Sequence, residues 1–263
     1  MIHASDFRYH PDMQADMQSS VIGDAFGLAL KACYDGGMKP GIASIIERDD
    51  GYIENEFDCS RYFAPIDDWD AIDRWAIESL RGRVLDIGAG AGRASLELQE
   101  RGCDVVALDV SPACVEICRD RGVAQTFLGD VEALAATGPA AFDAFVMLGN
   151  GLGLLQDAAY APRLLAMLEE MAAPGAVIAG TCLDPYRSSM PEHLAYHDRN
   201  RAAGRMAGQI RIRLRYRAVA TPWWEYLFMS VEELRGLLSG TRWTLEDIED
   251  SGAMTYAVRM RLG

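Results

Sequence analysis

Gly88, Gly90 and Gly92 stand at alternate positions directly after the apolar run Val84 to Ile87 and before a stretch of helical pattern. Glycine at a strand-to-helix turn removes the side chains that would keep a ligand away, so backbone N–H groups can approach it. The next apolar run, Val105 to Val110, contains Asp109, about twenty residues past the first glycine, where a carboxylate can accept hydrogen bonds from ribose hydroxyls. Asp86 precedes Gly88 by two residues, and a third short strand ends in Gly129-Asp130. A glycine triplet alone is equally a tight turn without a ligand; joined to a well-placed acid it reads as a nucleoside site. Dinucleotide sites share this geometry, but their glycines follow G-x-G-x-x-G, whereas these follow G-x-G-x-G.

Other side chains offer chemistry less specifically. Asn150 lies in the segment Met147 to Leu155, after a fourth strand, where it is either a site residue or half of an Asn-Gly turn. His193 and His197 are one helical turn apart and can act as a base or as hydrogen-bonding groups. No third ligand accompanies them, so no metal is expected. Arg211, Arg213, Arg215 and Arg217 alternate with Ile212, Leu214 and Tyr216, which puts four guanidinium groups on one strand face. That face is either solvated or holds a substrate carboxylate or phosphate, which arginine matches bidentately. Trp223 and Trp224 either stack on a flat acceptor or pack against a sheet. Cys114 and Cys118 read as a buried helix face, and none of the six cysteines forms a CxxC pair.

These residues need a frame. Asp12 caps a helix with apolar positions Met13, Met17, Ile22, Phe26, Ala29, Leu30 and Cys33, ended by Gly36-Gly37. From Gly37 to Phe63 the pattern is loop, with turns at Lys39-Pro40-Gly41 and Asp49-Asp50-Gly51, and a second helix runs from Trp69 to Leu80 behind Asp67 or Asp68. After Gly82 short apolar strands alternate with helices, which implies a mostly parallel sheet covered on both faces. Gln209 to Val219 and Trp223 to Phe228 look like antiparallel strands, Ser230 with Glu233 forms a capping box, and strands near Trp243 to Ile248 and Tyr256 to Arg261 close the chain. The expected fold is therefore α/β, a doubly wound, mostly parallel seven-stranded sheet. A helical extension (residues 1–80) precedes a core (81–263) with an antiparallel insertion at about residues 186–229.

Half of the 263 residues are hydrophobic and 24% are charged, the balance of a globular chain with a sizeable core. A net charge of −14 repels phosphate backbones, so nucleic acid is not the expected partner. No apolar run reaches the roughly 18 residues of a membrane span, and the first residues lack a signal-peptide pattern. A cytoplasmic protein with reduced thiols, off the membrane, is expected.

The apolar strand, the acid Asp86, the glycines and the later acids together resemble class I S-adenosylmethionine-dependent methyltransferases of Rossmann-like fold, over roughly residues 80 to 185. The resemblance implies that Asp86, Gly88, Ala89, Gly90 and Gly92 surround the methionine part of S-adenosylmethionine and that Asp109 holds the ribose. It further implies that Asp130 accepts from the adenine amino group, that Val110 and Val131 flank the ring, and that Leu148 and Asn150 face sulfonium and substrate. More loosely, the chain is similar to uncharacterised bacterial small-molecule methyltransferases carrying Tyr62-Phe63, Asp184-Pro185-Tyr186 and Thr221-Pro222-Trp223, segments expected to close over the cofactor edge. The acceptor pocket then draws on Tyr186, Arg211, Arg213, Trp223 and Trp224, with His193, His197 and Asn150 as candidate catalytic groups. The expected reaction is methyl transfer to an oxygen, nitrogen or carbon of a small molecule or peptide, releasing S-adenosylhomocysteine. A non-methylating binding or interaction module on the same fold stays open as the alternative. A nicotinamide oxidoreductase is disfavoured by the glycine spacing and the lack of a Tyr-x-x-x-Lys pair.

Overall fold

The computed structural model describes residues 21–55, 58–138 and 140–263, so the expected cap at Asp12 and the first half of its helix lie outside the described residues. Within them, Val21–Ile22 is a short strand (β1), and the helix is Ala25–Asp35 (α1), capped by Asp24, whose side chain accepts from the Gly27 N–H. Ile22 thus belongs to a strand and not to the helix. The segment expected to be loop contains a hairpin, Ile45–Arg48 (β2) and Ile53–Asn55 (β3), turning at Asp49-Asp50-Gly51. Residues 1–80 are therefore not helical throughout. The second helix, Ala71–Ile77 (α2), starts behind Asp70; Asp67 and Asp68 sit in a preceding 3-10 turn.

The alternating part follows the expected order: Arg83–Ile87 (β4), Arg93–Glu100 (α3), Asp104–Asp109 (β5), Pro112–Asp120 (α4), Gln125–Leu128 (β6), Val131–Ala135 (α5), Phe142–Met147 (β7), Ala161–Glu170 (α6) and Ala172–Leu183 (β8). Pro191–Ala202 (α7), Gln209–Tyr216 (β9), Val219–Ala220 (β10) and Trp224–Leu227 (β11) form the insertion, and Val231–Leu238 (α8), Trp243–Asp250 (β12) and Thr255–Leu262 (β13) complete the chain. The capping box at α8 forms in full: Ser230 accepts from the Glu233 N–H, and the Glu233 carboxylate accepts from the Ser230 N–H.

The main sheet has seven strands in the order β12-β13-β8-β7-β4-β5-β6, parallel except where β13 runs antiparallel to both neighbours. Strand alternation sends Leu85, Phe145 and Ile178 to one apolar cluster and Val84, Ala144, Val146 and Ala179 to another, so both faces are covered. Each large apolar side chain fully buried there contributes roughly 1.5–3 kcal/mol. This fixes the carboxyl ends of β4, β5, β6 and β7 along one rim.

A second sheet lies over the chain's extension and insertion together, in the order β1-β10-β9-β2-β3, with β11 also paired to β9. The hairpin strand β2 from the extension pairs antiparallel with β9 from the insertion, Ile45 opposite Arg215 through Arg48 opposite Ile212. Two segments far apart in sequence thus make one cap. No helix among the described residues is long and apolar enough to cross a membrane.

Candidate cofactor and acceptor site

The turn from β4 into α3 is possible because Gly88, Gly90 and Gly92 have φ of 71°, 56° and 75°, the left-handed region that favours glycine. The N–H groups of Gly88 and Ala89 donate to the Leu108 carbonyl, that of Gly92 to the Ala89 carbonyl, and that of Gly90 to Asp109 Oδ2 at 2.8 Å. These donors serve the fold, contrary to the expectation that they face a ligand; what the turn offers is close approach. A Cβ on Gly88 would meet nothing within 4 Å, whereas one on Gly90 would stand 3.8 Å from Tyr62 Cδ1. The Tyr62 ring, edge-on to Phe26, thus overlies the turn. Gly92 has a packing reason instead, since a Cβ there would be 3.0 Å from Cys118 Sγ.

Asp109 ends β5 at only 8% exposure. Its Oδ1 accepts from the Ser111 N–H at 2.9 Å and its Oδ2 from Gly90. Burial pushes its carboxyl up to about 6, Asp24 nearby pushes the same way, and the backbone donors pull back. Asp86, on the adjacent strand and 3% exposed, gives Oδ2 to the Ser95 hydroxyl at 2.6 Å; burial, with Asp109 beside it, raises it also to about 6. Next to the Asp109 carboxylate, Val110 is 69% exposed and Leu128, at the end of the neighbouring strand β6, is 50% exposed. Large apolar side chains left in solvent beside a buried acid suit a flat ring attached to a ribose. Asp130 caps α5, accepting from the Ala133 N–H at 2.8 Å, and Val131 is buried in the main apolar cluster. Leu128, which the sequence reading did not single out, takes the exposed apolar place.

In the loop after β7, Leu148 is half-buried and Asn150 holds φ of 62°, a left-handed conformation that asparagine adopts more readily than other non-glycine residues. The Asn150 N–H donates to Thr181 Oγ1 at 3.0 Å, its carbonyl accepts from the Tyr226 hydroxyl at 2.6 Å, and its Oδ1 is buried with no hydrogen-bond partner among the described residues. The insertion is thereby tied to the loop after β7. Tyr226 was missed from sequence, although Gly153 marks the approach: a Cβ there would be 2.2 Å from Tyr226 Cε1.

His193 and His197 lie on α7. His193 Nδ1 is 2.9 Å from Ser188 Oγ and its ring is edge-on to Tyr52; His197 is buried. Burial lowers both from the ordinary histidine value, helped by Arg48 for His193 and by His193 itself for His197, so both are neutral at pH 7. The helix is pinned to the β2–β3 hairpin by Tyr196 and Arg199, which both donate to Asp49, and by Arg48 lying 4.1 Å over the Tyr196 ring. Arg211, Arg213 and Arg215 share a face of β9, but Arg217 lies past the strand's end, at φ of 52° in the turn to β10, and the row's carboxylate comes from this chain. Glu47, opposite Arg213 in register, takes two hydrogen bonds from it at 2.8 and 3.0 Å and lies 3.2 Å from Arg215; Arg211 is 3.8 Å from Glu225. Trp223 lies under the Arg213 guanidinium, whereas Trp224 packs with Ile210 and Ile212. Tyr186 is exposed and donates to Glu233 at 2.7 Å, with burial and that carboxylate pushing its hydroxyl up to about 12. Among the described residues no group of three or more His, Cys, Asp or Glu could hold a metal ion. A cavity of about 380 Å³ opens near the amino ends of β4 and β7, between Arg81, Asp143, Glu246 and Arg261, away from the glycine turn.

Comparison with known proteins bears on the segment that carries this rim. Residues 84–175 match the family described as "Methyltransferase domain". The magnesium-protoporphyrin O-methyltransferase of Rhodobacter capsulatus is 51% identical over 39 residues, 15% of this chain and 17% of that protein. The malonyl-[acyl-carrier protein] O-methyltransferase of Salmonella typhimurium is 36% identical over 115 residues, 41% of each protein, so the matches span less than half the length of either curated relative. A crystal structure of a SAM-dependent methyltransferase from Bacteroides fragilis, in complex with S-adenosyl-L-homocysteine, superposes with a TM-score of 0.76 over 94% of this chain and 99% of that one at 22% identity. Its likeness is one of fold and extends to the cap as well as the core. Residues 84–175, which carry the glycine turn and the acid at the end of β5, are thus similar to methyltransferase domains.

Proposed function

We propose that the chain binds S-adenosylmethionine at this rim and transfers its methyl group to an oxygen, nitrogen or carbon nucleophile of a small molecule or peptide. The observation that carries the reading is the buried Asp109 carboxylate, held by Gly90 and Ser111 beside the exposed Val110 and Leu128. In this reading Asp109 accepts from the ribose hydroxyls, and Val110 and Leu128 border the adenine, with Asp130 near its amino group. Asp86 shapes the glycine turn around the methionine end, under Tyr62. When bound, the cofactor supplies an electrophilic methyl on its sulfonium. What the chain contributes is position: it fixes the acceptor in line and excludes water, which removes much of the barrier.

The described part of the extension (residues 1–80 by sequence) and the insertion at about residues 186–229 would form the acceptor-side cap over the core at 81–263, with Asn150 and Leu148 at the seam. Trp223 and Tyr186 border this cap, and Arg211, more exposed than Arg213, is the cation best placed to meet an acidic group on an acceptor. Neutral His193 and His197 can serve as bases for an acceptor that carries a proton; a carboxylate needs none. The two curated relatives described above are O-methyltransferases by name, so carboxyl and hydroxyl compounds are the first acceptors to test. The six buried, unbridged cysteines suit a reducing cytoplasm, and the charge of −14 argues against a nucleic-acid substrate.

The test is formation of S-adenosylhomocysteine, followed by chromatography, from S-adenosylmethionine and panels of carboxyl, hydroxyl and amine compounds. Acceptor-dependent product supports methyl transfer. Tight cofactor binding with no product from any panel would support the binding-module alternative.

A further inference from the structure

The carboxylate on which the cofactor reading depends is braced from outside the main sheet. Asp24, the cap of α1, gives Oδ1 to the Gly27 N–H at 2.9 Å. Its Oδ2 accepts from Ser111 Oγ at 2.6 Å and from the Ala113 N–H at 3.3 Å. Ser111 in turn donates its backbone N–H to Asp109 Oδ1 at 2.9 Å and caps α4 by accepting from the Cys114 N–H at 3.0 Å. One carboxylate therefore serves the amino ends of two helices, where free N–H groups and the helix dipoles favour an anion. Gly27 shows how closely the parts fit. A Cβ on it would lie 2.1 Å from Ser111 Oγ and 2.4 Å from Asp24 Oδ2, so this helical glycine, which costs about 1 kcal/mol against alanine, makes room for the contact.

We propose that Asp24 is a positioning residue for the cofactor: through Ser111 it fixes the turn Asp109-Val110-Ser111 against α1, and so sets where the ribose acid and the exposed valine stand. The inference rests on the cofactor reading above and gives the extension a role in it beyond covering the acceptor. Asp24 also acts by charge. Asp109 is faced by Asp24 from α1, by Asp86 from β4 and by Cys114 and Cys118 from α4, and the negative charge of Asp24 opposes its ionisation.

The experiment is calorimetric titration of the full chain with S-adenosylhomocysteine from pH 5.5 to 8.5, for wild type, Asp24→Asn and Gly27→Ala, with thermal melts alongside. Asparagine caps helices as well as aspartate does, so the first variant keeps α1 while losing the charge. Gly27→Ala tests the same contact sterically and improves helix propensity. At pH 8 both variants should bind roughly tenfold more weakly, the effect of losing one charge-assisted hydrogen bond. In Asp24→Asn the pH below which affinity declines should also move down, because Asp109 ionises more readily. Wild-type affinity in both variants would overturn the inference, as would a loss in Asp24→Asn that is the same at every pH, which marks a merely structural role. Wild type that does not bind at all would overturn the cofactor reading itself and this inference with it.

Discussion

Replacing Asp109 by asparagine removes the charge while keeping the shape, and its effect can be worked from the contacts. A hydrogen bond to a charged group contributes about 1.5–3 kcal/mol and a neutral one about 0.5–1.5, so two ribose hydroxyls lose about 2–3 kcal/mol together, or about 30- to 150-fold in affinity. The stability of the protein changes less. The carboxyl is raised from 3.8 to about 6, so the native state holds its proton more tightly than the unfolded chain, and stability declines as pH rises between those values and is level above. Ionising the buried acid thus costs on the order of 3 kcal/mol at pH 8. Asparagine relieves that cost but leaves one of the two donors, Gly90 N–H or Ser111 N–H, facing an amide nitrogen, at about 1–3 kcal/mol. These nearly cancel, so the melting temperature should shift by only a few degrees. Titration with S-adenosylhomocysteine should show wild-type affinity flat above about pH 7 and declining by up to tenfold per unit below 6, with the variant weak and flat throughout. An Asp109→Asn protein that binds as wild type does at pH 8, or a wild type whose affinity ignores pH between 5 and 8, would refute the assignment.

Gly88→Ala adds a Cβ that meets nothing in the protein but must hold φ of 71°, so stability should fall by about 1–2 kcal/mol while cofactor affinity falls at least about tenfold; an unchanged affinity on titration of the folded variant would count against the turn as the cofactor's bed. Tyr226→Phe removes the hydroxyl that holds the Asn150 carbonyl, worth about 1 kcal/mol, and should lower kcat/KM for an acceptor several-fold while leaving S-adenosylhomocysteine affinity unchanged; the opposite pattern would separate Asn150 from the acceptor side. Glu47→Gln leaves Arg213 and Arg215, 18% and 5% exposed, without their shared carboxylate and should cost about 2–4 kcal/mol in denaturant unfolding, whereas an unchanged midpoint would mean the arginine row is not held by Glu47.

The core was legible because its signals are local. Apolar runs ending in Gly88, Asp109 and Gly129 punctuate β4, β5 and β6, and the Ser230–Glu233 box announces α8 within four residues. The cap was less so. Its hairpin strands β2 and β3 are short and carry Glu47, Arg48 and Glu54, so nothing in them reads as a strand until β9 supplies a partner. The turn Asp49-Asp50-Gly51 was the one visible trace. Alternation put Arg211, Arg213 and Arg215 on one face of β9, though not Arg217, where the chain turns, and the acid that meets Arg213 and Arg215 lies in the distant extension, which spacing cannot show. The start of α1 went astray because Ile22 fits a helical period and yet pairs as a strand beside β10, leaving Asp24 as the cap. The ribose site proposed here is suggested locally by Asp109 and the glycines, while its brace through Ser111 to Asp24 spans 87 residues and has no local sign.

The rim formed by Gly88, Asp109, Val110 and Leu128 is the proposed site for S-adenosylmethionine. Calorimetric titration of the wild-type chain at pH 8 with S-adenosylmethionine and S-adenosylhomocysteine, with NAD and NADP as controls, tests it without knowledge of the acceptor. The expected result is one-site binding of the first pair in the micromolar range with no heat from the dinucleotides; dinucleotide binding with no response to S-adenosylhomocysteine would overturn the assignment.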